Sequence, residues 1–128
     1  MSLRELLAED AHGSGAVASL RASVLEHLRA MCGTRRGTVE GRPDYGLPDV
    51  SEMVHSFPRA IADMQAALEH TVATYEPRLA HVRVTHLPSA PFDLVLRFEI
   101  AASLREHEGA APVRFETRVD ASRGVSVE

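Results

Sequence analysis

Apolar residues recur with a helical period in two segments of the chain. The first stripe comprises Leu20, Val24, Leu28 and Met31, and the second comprises Phe57, Ile61, Met64, Leu68, Val72 and Tyr75. Intervals of three and four residues place such side chains on one face of a helix. The first stripe therefore predicts a helix from about Ala16 to Cys32. The second predicts a helix that ends before Pro77, because a proline disfavours the α region for the residue preceding it.

Residues with capping preferences flank the predicted helices. Gly33 is expected to end the first helix in the left-handed conformation, which costs glycine little. Ser56 is expected to cap the second helix, and Asp49 to cap a short helix near Val50 to His55.

Beyond Arg78 the period changes to two, which is typical of half-buried strands. The residues expected to face inward are Ala80, Val82 and Val84, then Leu94, Leu96, Phe98, Ile100, Ala102 and Leu104, and finally Val113, Phe115 and Val119. Turns are expected near Pro88 to Pro91 and from Glu106 to Ala111, and a short last strand from Val125 to Val127. The chain is thus predicted to be α+β, with N-terminal helices packed on a three- to four-stranded antiparallel sheet that has one solvated face.

Charged residues alternate along that solvated face. Arg97 and Glu99 are expected to pair across the ladder with Glu116 and with Arg114 or Arg118. In the alternative interpretation, this face or an unpaired edge receives a strand from another chain.

The length of 128 residues corresponds to one domain. Residues 1–15 are interpreted as a flexible N-terminal arm, in which three leucines form a short amphipathic turn before Gly13-Ser14-Gly15. Residues 16–128 are interpreted as the domain itself.

Residues 34–49 have no usable period and are rich in glycine, proline and arginine. A loop of this length in a compact domain is usually functional. Because each glycine and proline permits or fixes particular backbone angles, we predict an ordered surface loop with a specific path.

The composition argues against nucleic acid and membranes as partners. The formal net charge is −4, so that no overall basic field attracts a polyanion. All 14 basic residues are arginines, which suits bidentate contacts at protein interfaces as well as a GC-rich genome. No apolar run approaches the ~20 residues of a membrane span. The charged N-terminus and the single cysteine, Cys32, lead us to expect a cytoplasmic protein.

No motif in the sequence indicates catalysis, a metal site or a cofactor. The seven histidines fall on different predicted elements without metal-ligand spacing. There is no nucleophile elbow and no phosphate-binding loop, and Cys32 lies among apolar neighbours where a packed thiol is the commoner outcome. Many carboxylate pairs can be chosen among 18 acidic residues, but no pattern selects one as a glycosidase pair.

The junction Tyr75-Glu76-Pro77-Arg78 between the second helix and the sheet has two interpretations. In one, Glu76 satisfies backbone donors at the helix end and Arg78 pairs with a neighbouring carboxylate. In the other, which we favour, both side chains project from an exposed seam and bind a partner through charge-assisted hydrogen bonds. Together with the loop, this predicts a partner-binding set of Tyr75, Glu76, Pro77, Arg78, Arg35, Arg36, Asp44, Tyr45 and Asp49.

Five segments of the chain resemble signature segments of the TssE family of type VI secretion baseplate subunits. They are Thr34-Arg35-Arg36-Gly37-Thr38-Val39, Arg42-Pro43-Asp44-Tyr45-Gly46-Leu47-Pro48-Asp49, Tyr75-Glu76-Pro77-Arg78-Leu79, Leu96-Arg97-Phe98-Glu99-Ile100 and Val113-Arg114-Phe115-Glu116-Thr117. The resemblance extends from about residue 16 to the C-terminus. Met31-Cys32-Gly33 departs from it, since leucine and asparagine are expected there.

This resemblance implies a structural subunit and not an enzyme. Its partners would be the baseplate proteins TssF, TssG and TssK and the sheath proteins TssB and TssC, whose assembly it would nucleate as a monomer within the baseplate. The location implied is the cytoplasm, at a baseplate docked to the inner membrane of a Gram-negative bacterium. The implied fold is that of contractile-phage baseplate wedge proteins, similar to the strand-exchanging part of sheath subunits. Glu76, Pro77 and Arg78 match a motif linked to contacts inside the assembly.

Two other functions stay open at this point. Relatives have been labelled lysozyme-like, which implies peptidoglycan hydrolysis, although the residues above give it no support. A regulatory adaptor on the same fold is the other, since a fold alone does not determine function.

Overall fold

The structure is a computed structural model that describes residues 3–49, 59–88, 95–106, 109–120 and 122–128, with side chains from Gly15 onward except that of Glu106. Within these described residues, two helices, α1 (Leu3–Cys32) and α2 (Arg59–Tyr75), precede four strands. The strands are β1 (Leu79–Leu87), β2 (Val95–Glu106), β3 (Gly109–Asp120) and β4 (Gly124–Val127). They form one antiparallel sheet in the order β1-β2-β3-β4. The predicted α+β meander is confirmed.

Both helices pack on the same face of this sheet. α2 lies mainly against β1, and α1 lies mainly against β4. The inward-facing residues of β2 are all buried, as their alternation predicts: Leu96, Phe98, Ile100, Ala102 and Leu104. The helix stripes supply the other half of the core, with Val24, Leu28, Met31, Met64, Leu68 and Val72 at 1% exposure or less. No helix among the described residues is long and apolar enough to cross a membrane.

The first helix begins earlier than its apolar stripe indicates. Its backbone is helical from Leu3, through Gly13-Ser14-Gly15, where the sequence suggested a break. Leucine, alanine, glutamate and arginine dominate residues 3–11, and extending an existing helix avoids the cost of nucleation, so two glycines at about 1 kcal/mol each do not stop it. The division into a flexible arm (1–15) and a domain (16–128) stays a prediction.

The end of α1 is capped differently from the prediction. Gly33 is not in the left-handed region, since the described glycines with positive φ are those at 37, 41, 46, 109 and 124. Instead, the hydroxyl of Thr34 donates to the carbonyl of Ala30 at 2.8 Å, and the Thr34 amide donates to Met31 at 3.1 Å. The expected left-handed cap at Gly33 is therefore wrong, because Thr34 supplies the donors that the last carbonyls need.

Two details of the strands also differ from the alternation. The β1–β2 register shifts between Ala80 and Arg83, where His81 has a φ of 54°. Because of this bulge, the buried residue before it is Leu79 and not Ala80, and the buried residue after it is Val84. The turn predicted from Glu106 to Ala111 is too long, because the ladder continues to the pair Glu106 and Gly109. The short helix near Val50 to His55, the Ser56 cap and the turn that follows Pro88 lie outside the described residues.

The charges on the uncovered face pair as expected. Arg97 and Glu116 form an ion pair at 3.0 Å, and Arg114 approaches Glu99 to 3.8 Å. Both are diagonal contacts, since the register places Arg97 opposite Arg118 and Glu99 opposite Glu116. Such exposed pairs contribute about 0–1 kcal/mol each.

The free edge of β4 is occupied by a side chain of α1. Glu128 and Glu116 form a pair in which each backbone amide donates to the other residue's carbonyl at 2.9 Å. Because the backbone groups of successive residues in an antiparallel strand point to opposite sides, the carbonyl of Val127 points away from β3. That carbonyl accepts a hydrogen bond from Arg29 Nε at 3.0 Å. Two helical turns earlier, Arg21 Nη2 donates to the carbonyl of Arg114 at 3.0 Å. Both contacts satisfy carbonyls of the sheet.

Candidate interaction site

The junction between α2 and β1 holds a buried ionic cluster. The Glu76 amide continues the helical pattern by donating to Val72 at 3.0 Å, and Pro77 then ends the helix. The Glu76 carboxylate is 0% exposed. Arg78 returns to it with Nε at 2.9 Å from Oε1 and Nη2 at 2.9 Å from Oε2, and the Arg78 amide donates to Oε1 at 3.0 Å.

Helix α1 completes this cluster from the other side. His27 Nδ1 lies 2.6 Å from Glu76 Oε2, and since a carboxylate only accepts, Nδ1 carries the proton. The third nitrogen of the guanidinium, Arg78 Nη1, donates to the Ser23 hydroxyl at 2.7 Å. The cluster thus ties α1, the end of α2 and the start of β1 together.

The protonation of Glu76 follows from these contacts. Burial would raise the pKa of Glu76, but hydrogen bonds from Arg78 and His27 to the charged form outweigh burial, so that its pKa is lowered. The same hydrogen bond raises the pKa of Arg78. Glu76 is therefore a structural anion with its donors supplied from within the chain.

These contacts overturn the expected exposure of the junction. Glu76 does not project from the seam, and the interpretation in which it pairs locally with Arg78 and a backbone donor is the one observed. Arg78 keeps 34% of its side chain exposed, and Pro77 is exposed. Partner binding by these residues stays a prediction, and for Glu76 it is incompatible with the buried carboxylate.

A second cluster joins the loop at residues 34–49 to the last turns of α2. The Asp44 carboxylate accepts a short hydrogen bond from the Tyr75 hydroxyl through Oδ1, and Oδ2 lies 2.6 Å from His70 Nε2. The Thr71 hydroxyl donates to the carbonyl of Gly46 at 3.0 Å. Asp44, Tyr75, His70 and Thr71, with Gly46, are called the loop clamp below.

The hydrogen bonds of the loop clamp shift two pKa values in opposite directions. The pKa of Asp44 is lowered, because Tyr75 and then His70 stabilise its charged form. The pKa of Tyr75 is raised, because its hydroxyl proton is shared with Asp44. Both shifts indicate a carboxylate that is ionised and held in place.

The backbone of the loop is fixed by a close approach at Gly46. Leu47 donates to Thr34 at 3.0 Å, and Arg36 donates to Leu47 at 2.8 Å, which forms a short parallel bridge. A Cβ at Gly46 would lie 2.4 Å from the Thr34 carbonyl oxygen, and its φ is 104°. Only glycine fits there. The prediction of an ordered loop is confirmed for the described residues.

The remaining predicted site residues divide into two places. Arg36 lines a groove of about 400 Å³ next to α2, together with Asp44, Asp63 and His70. Arg35 pairs with Asp49 at 3.8 Å beside a separate depression near Cys32 and Arg123. The structure thus brings Asp44, Tyr45, Tyr75 and Arg36 to one surface, leaves Arg35 and Asp49 on another, and places Glu76 inside.

The contributors that the sequence interpretation missed include Arg42, His70 and His27. The Arg42 guanidinium carbon lies over the Tyr75 ring at 5.4 Å and over the Tyr45 ring at 5.9 Å. The two rings meet edge to face, with centroids 5.0 Å apart. The two histidines accompany apolar stripes on their helices, and that position carried no signal that each would contact a carboxylate from a distant segment.

Comparison with known protein families identifies the chain. The model of a family described as Baseplate wedge protein gp25 matches residues 18–108. The chain belongs to this family. The gp25 wedge family is one of structural baseplate components, and the matched range contains the loop clamp and the ionic cluster. No curated protein matches the chain significantly.

Solved structures show the same fold. A chain of the baseplate complex from the type VI secretion system superposes with a TM-score of 0.65 at 24% identity, covering 83% of this chain and 98% of that one. A candidate tail lysozyme from Geobacter sulfurreducens superposes with a TM-score of 0.53 at 19% identity, covering 75% of this chain and 87% of that one. The baseplate wedge fold expected for this gp25 wedge family member is confirmed.

Proposed function

We propose that the chain is the wedge subunit of a type VI secretion baseplate, in which it acts only through protein–protein contacts. In this proposal it binds the baseplate proteins TssF, TssG and TssK. It works in the cytoplasm, at a baseplate docked to the inner membrane. Membership of the gp25 wedge family and the fold shared with a type VI baseplate chain support the proposal.

The loop clamp is the observation that carries this proposal. It holds an exposed, arginine- and tyrosine-containing loop rigidly against α2, and arginine and tyrosine are enriched in the cores of protein interfaces. A surface ordered before binding loses little conformational entropy when a partner arrives. The residues brought to this surface include Asp44, Tyr45, Tyr75 and Arg36, which the sequence named as partner-binding.

The sheet suggests the second half of the function, which is to start the sheath of TssB and TssC. Its last strand is short and lies at an edge, where β-strand addition from another chain is the usual mode of recognition. The likeness to strand-exchanging sheath subunits implied by the sequence supports this role.

Sheath assembly in cells tests the proposal. In a strain with a fluorescent sheath subunit, Asp44→Asn is expected to loosen the loop and reduce the number of sheaths. Arg83→Gln is the control, because Arg83 is exposed on β1 and has no side-chain partner among the described residues. Normal sheath numbers in the Asp44 variant, with the chain present at its usual level, would contradict the proposal.

Among the residues that the structure describes, the carboxylates with shifted pKa values give peptidoglycan hydrolysis no support. A glycosidase needs a carboxylic acid whose pKa is raised, so that it carries a proton to the leaving group. Asp44, Glu76 and Asp120 instead have lowered pKa values, and each is hydrogen-bonded in its charged form. The likeness to a candidate tail lysozyme concerns the fold alone.

A further inference from the structure

Arg42 is an exposed cation that is held in place without an acceptor. Its guanidinium lies over the rings of Tyr45 and Tyr75, and this group makes no hydrogen bond or ion pair with any residue that the structure describes. The five N–H donors of the guanidinium therefore point to solvent or to a partner. Cation–π contact with the two rings restrains the position of the group and leaves those donors free.

The support beneath Arg42 is rigid. Tyr75 is fixed by its hydrogen bond to Asp44 Oδ1, and Asp44 is fixed in turn by His70 at Oδ2. Both oxygens of the nearby carboxylate are thus hydrogen-bonded to the support beneath Arg42 and not to its guanidinium. An arginine whose position is set before binding loses little rotamer entropy when it meets a ligand.

The surroundings decide which anion fits. Asp63 and Asp44 line the adjacent groove, and Glu40 is exposed on the same loop, so a polyanion such as nucleic acid would be repelled. A single carboxylate matches the planar fork of one guanidinium and is repelled less by these neighbours than a polyanion is.

We propose that Arg42, backed by Tyr45 and Tyr75, is the anchoring contact for a carboxylate side chain of the baseplate partner. This inference rests on the proposed function, and it adds the partner chemistry and the residue that recognises it. Truncating such an anchor typically weakens an interface by roughly tenfold or more.

A binding experiment with the proposed partners tests whether Arg42 is the anchoring contact. The tagged chain is co-expressed with TssF and TssG, and the complex is titrated for wild type, Arg42→Gln, Arg42→Lys and the control Arg83→Gln. We expect roughly tenfold weaker binding for Arg42→Gln, a smaller loss for Arg42→Lys because charge remains without the planar fork, and none for Arg83→Gln. Circular dichroism of each variant checks that the fold is retained.

The outcomes separate the two claims. If wild type captures neither partner, the proposed function fails and takes this inference with it. If wild type captures them and Arg42→Gln does so equally well, the function stands and the anchor is refuted. Equal losses in Arg42→Gln and Arg83→Gln would indicate a general charge effect and also refute it.

Intrinsic fluorescence tests the chemistry of the ligand on the chain alone. The chain has two tyrosines and no tryptophan, so its tyrosine emission reports on the two rings beneath Arg42. A glutamate-rich peptide is expected to change this emission in wild type and not in Arg42→Gln, and a lysine-rich peptide to change neither. An absent response to the glutamate-rich peptide, or an equal response to both peptides, would overturn the assignment of a carboxylate.

Discussion

The carboxylate of Glu76 is buried completely and accepts two hydrogen bonds from the guanidinium of Arg78, both at 2.9 Å. Removing one member of a buried pair leaves the other without its counter-charge, which costs about 3–5 kcal/mol. Since Arg78 is partly in water, we expect Glu76→Gln to lower the free energy of unfolding by about 3 kcal/mol, the lower end of that range. Urea denaturation followed by circular dichroism measures this.

The control for this prediction is Glu99→Gln. Glu99 also faces an arginine, but at 3.8 Å on the open face of the sheet. An exposed pair of this kind contributes about 0–1 kcal/mol. If both variants lost the same stability, the buried cluster would not hold the two helices and the sheet together as described.

Acid should weaken the fold through the same carboxylate. The folded-state pKa of Glu76 is lowered, so its contribution to stability is fully present above the unfolded pKa of about 4.3 and is lost as pH falls through the folded value. We expect the unfolding free energy of wild type to fall more steeply than that of Glu76→Gln between about pH 5 and pH 3. Urea denaturation at a series of pH values would contradict this if the two curves ran parallel.

Tyr75 should titrate above its ordinary range because of Asp44. Its pKa is raised by a hydrogen bond to the carboxylate, and an amide in place of that carboxylate removes the negative charge that opposes ionisation. In a Tyr45→Phe background, where Tyr75 is the one tyrosine left, we expect Asp44→Asn to lower the pKa of Tyr75. Ultraviolet absorption of the tyrosinate follows the titration, and an unchanged midpoint would show that Asp44 does not hold the hydroxyl.

Alanine substitutions at two glycines of the loop distinguish the cost of a steric clash from the cost of backbone strain. Gly46 and Gly41 both have positive φ, but a Cβ at Gly46 meets the Thr34 carbonyl oxygen whereas a Cβ at Gly41 meets nothing within 4 Å. We expect Gly41→Ala to cost about 1 kcal/mol from strain alone, and Gly46→Ala at least about 3 kcal/mol. Thermal unfolding of both variants would refute the close approach if their losses were equal.

Helices and strands whose apolar residues keep one period over their whole length were predictable from the sequence. The stripe of α2 and the alternation in β2 and β3 report local burial on one face, and the structure places Leu68, Phe98 and Phe115 in the core accordingly. The bulge at His81 was not predictable, because Ala80, Val82 and Val84 keep their alternation in the sequence while the backbone between them does not.

Several residues of the candidate site were predictable from the sequence, but their arrangement was not. Glu76 meets His27 across 49 positions of sequence, and Tyr75 meets Asp44 across 31. The side chains of these two consecutive residues therefore point in different directions. Tyr75 contacts the surface loop, whereas Glu76 points inward to α1. No local pattern distinguishes those two directions.

The hydrogen bond from Arg29 to the carbonyl of Val127 has a consequence for how the subunit behaves before assembly. A strand that pairs with β4 must replace Arg29 as the donor to the Val127 carbonyl. Its docking therefore gains one hydrogen bond at that position and loses another. A strand that forms no further backbone hydrogen bonds with β4 therefore gains little binding free energy from this replacement. In the strand addition proposed above, Arg29 would therefore set a threshold that favours a partner strand long enough to replace this hydrogen bond with several of its own.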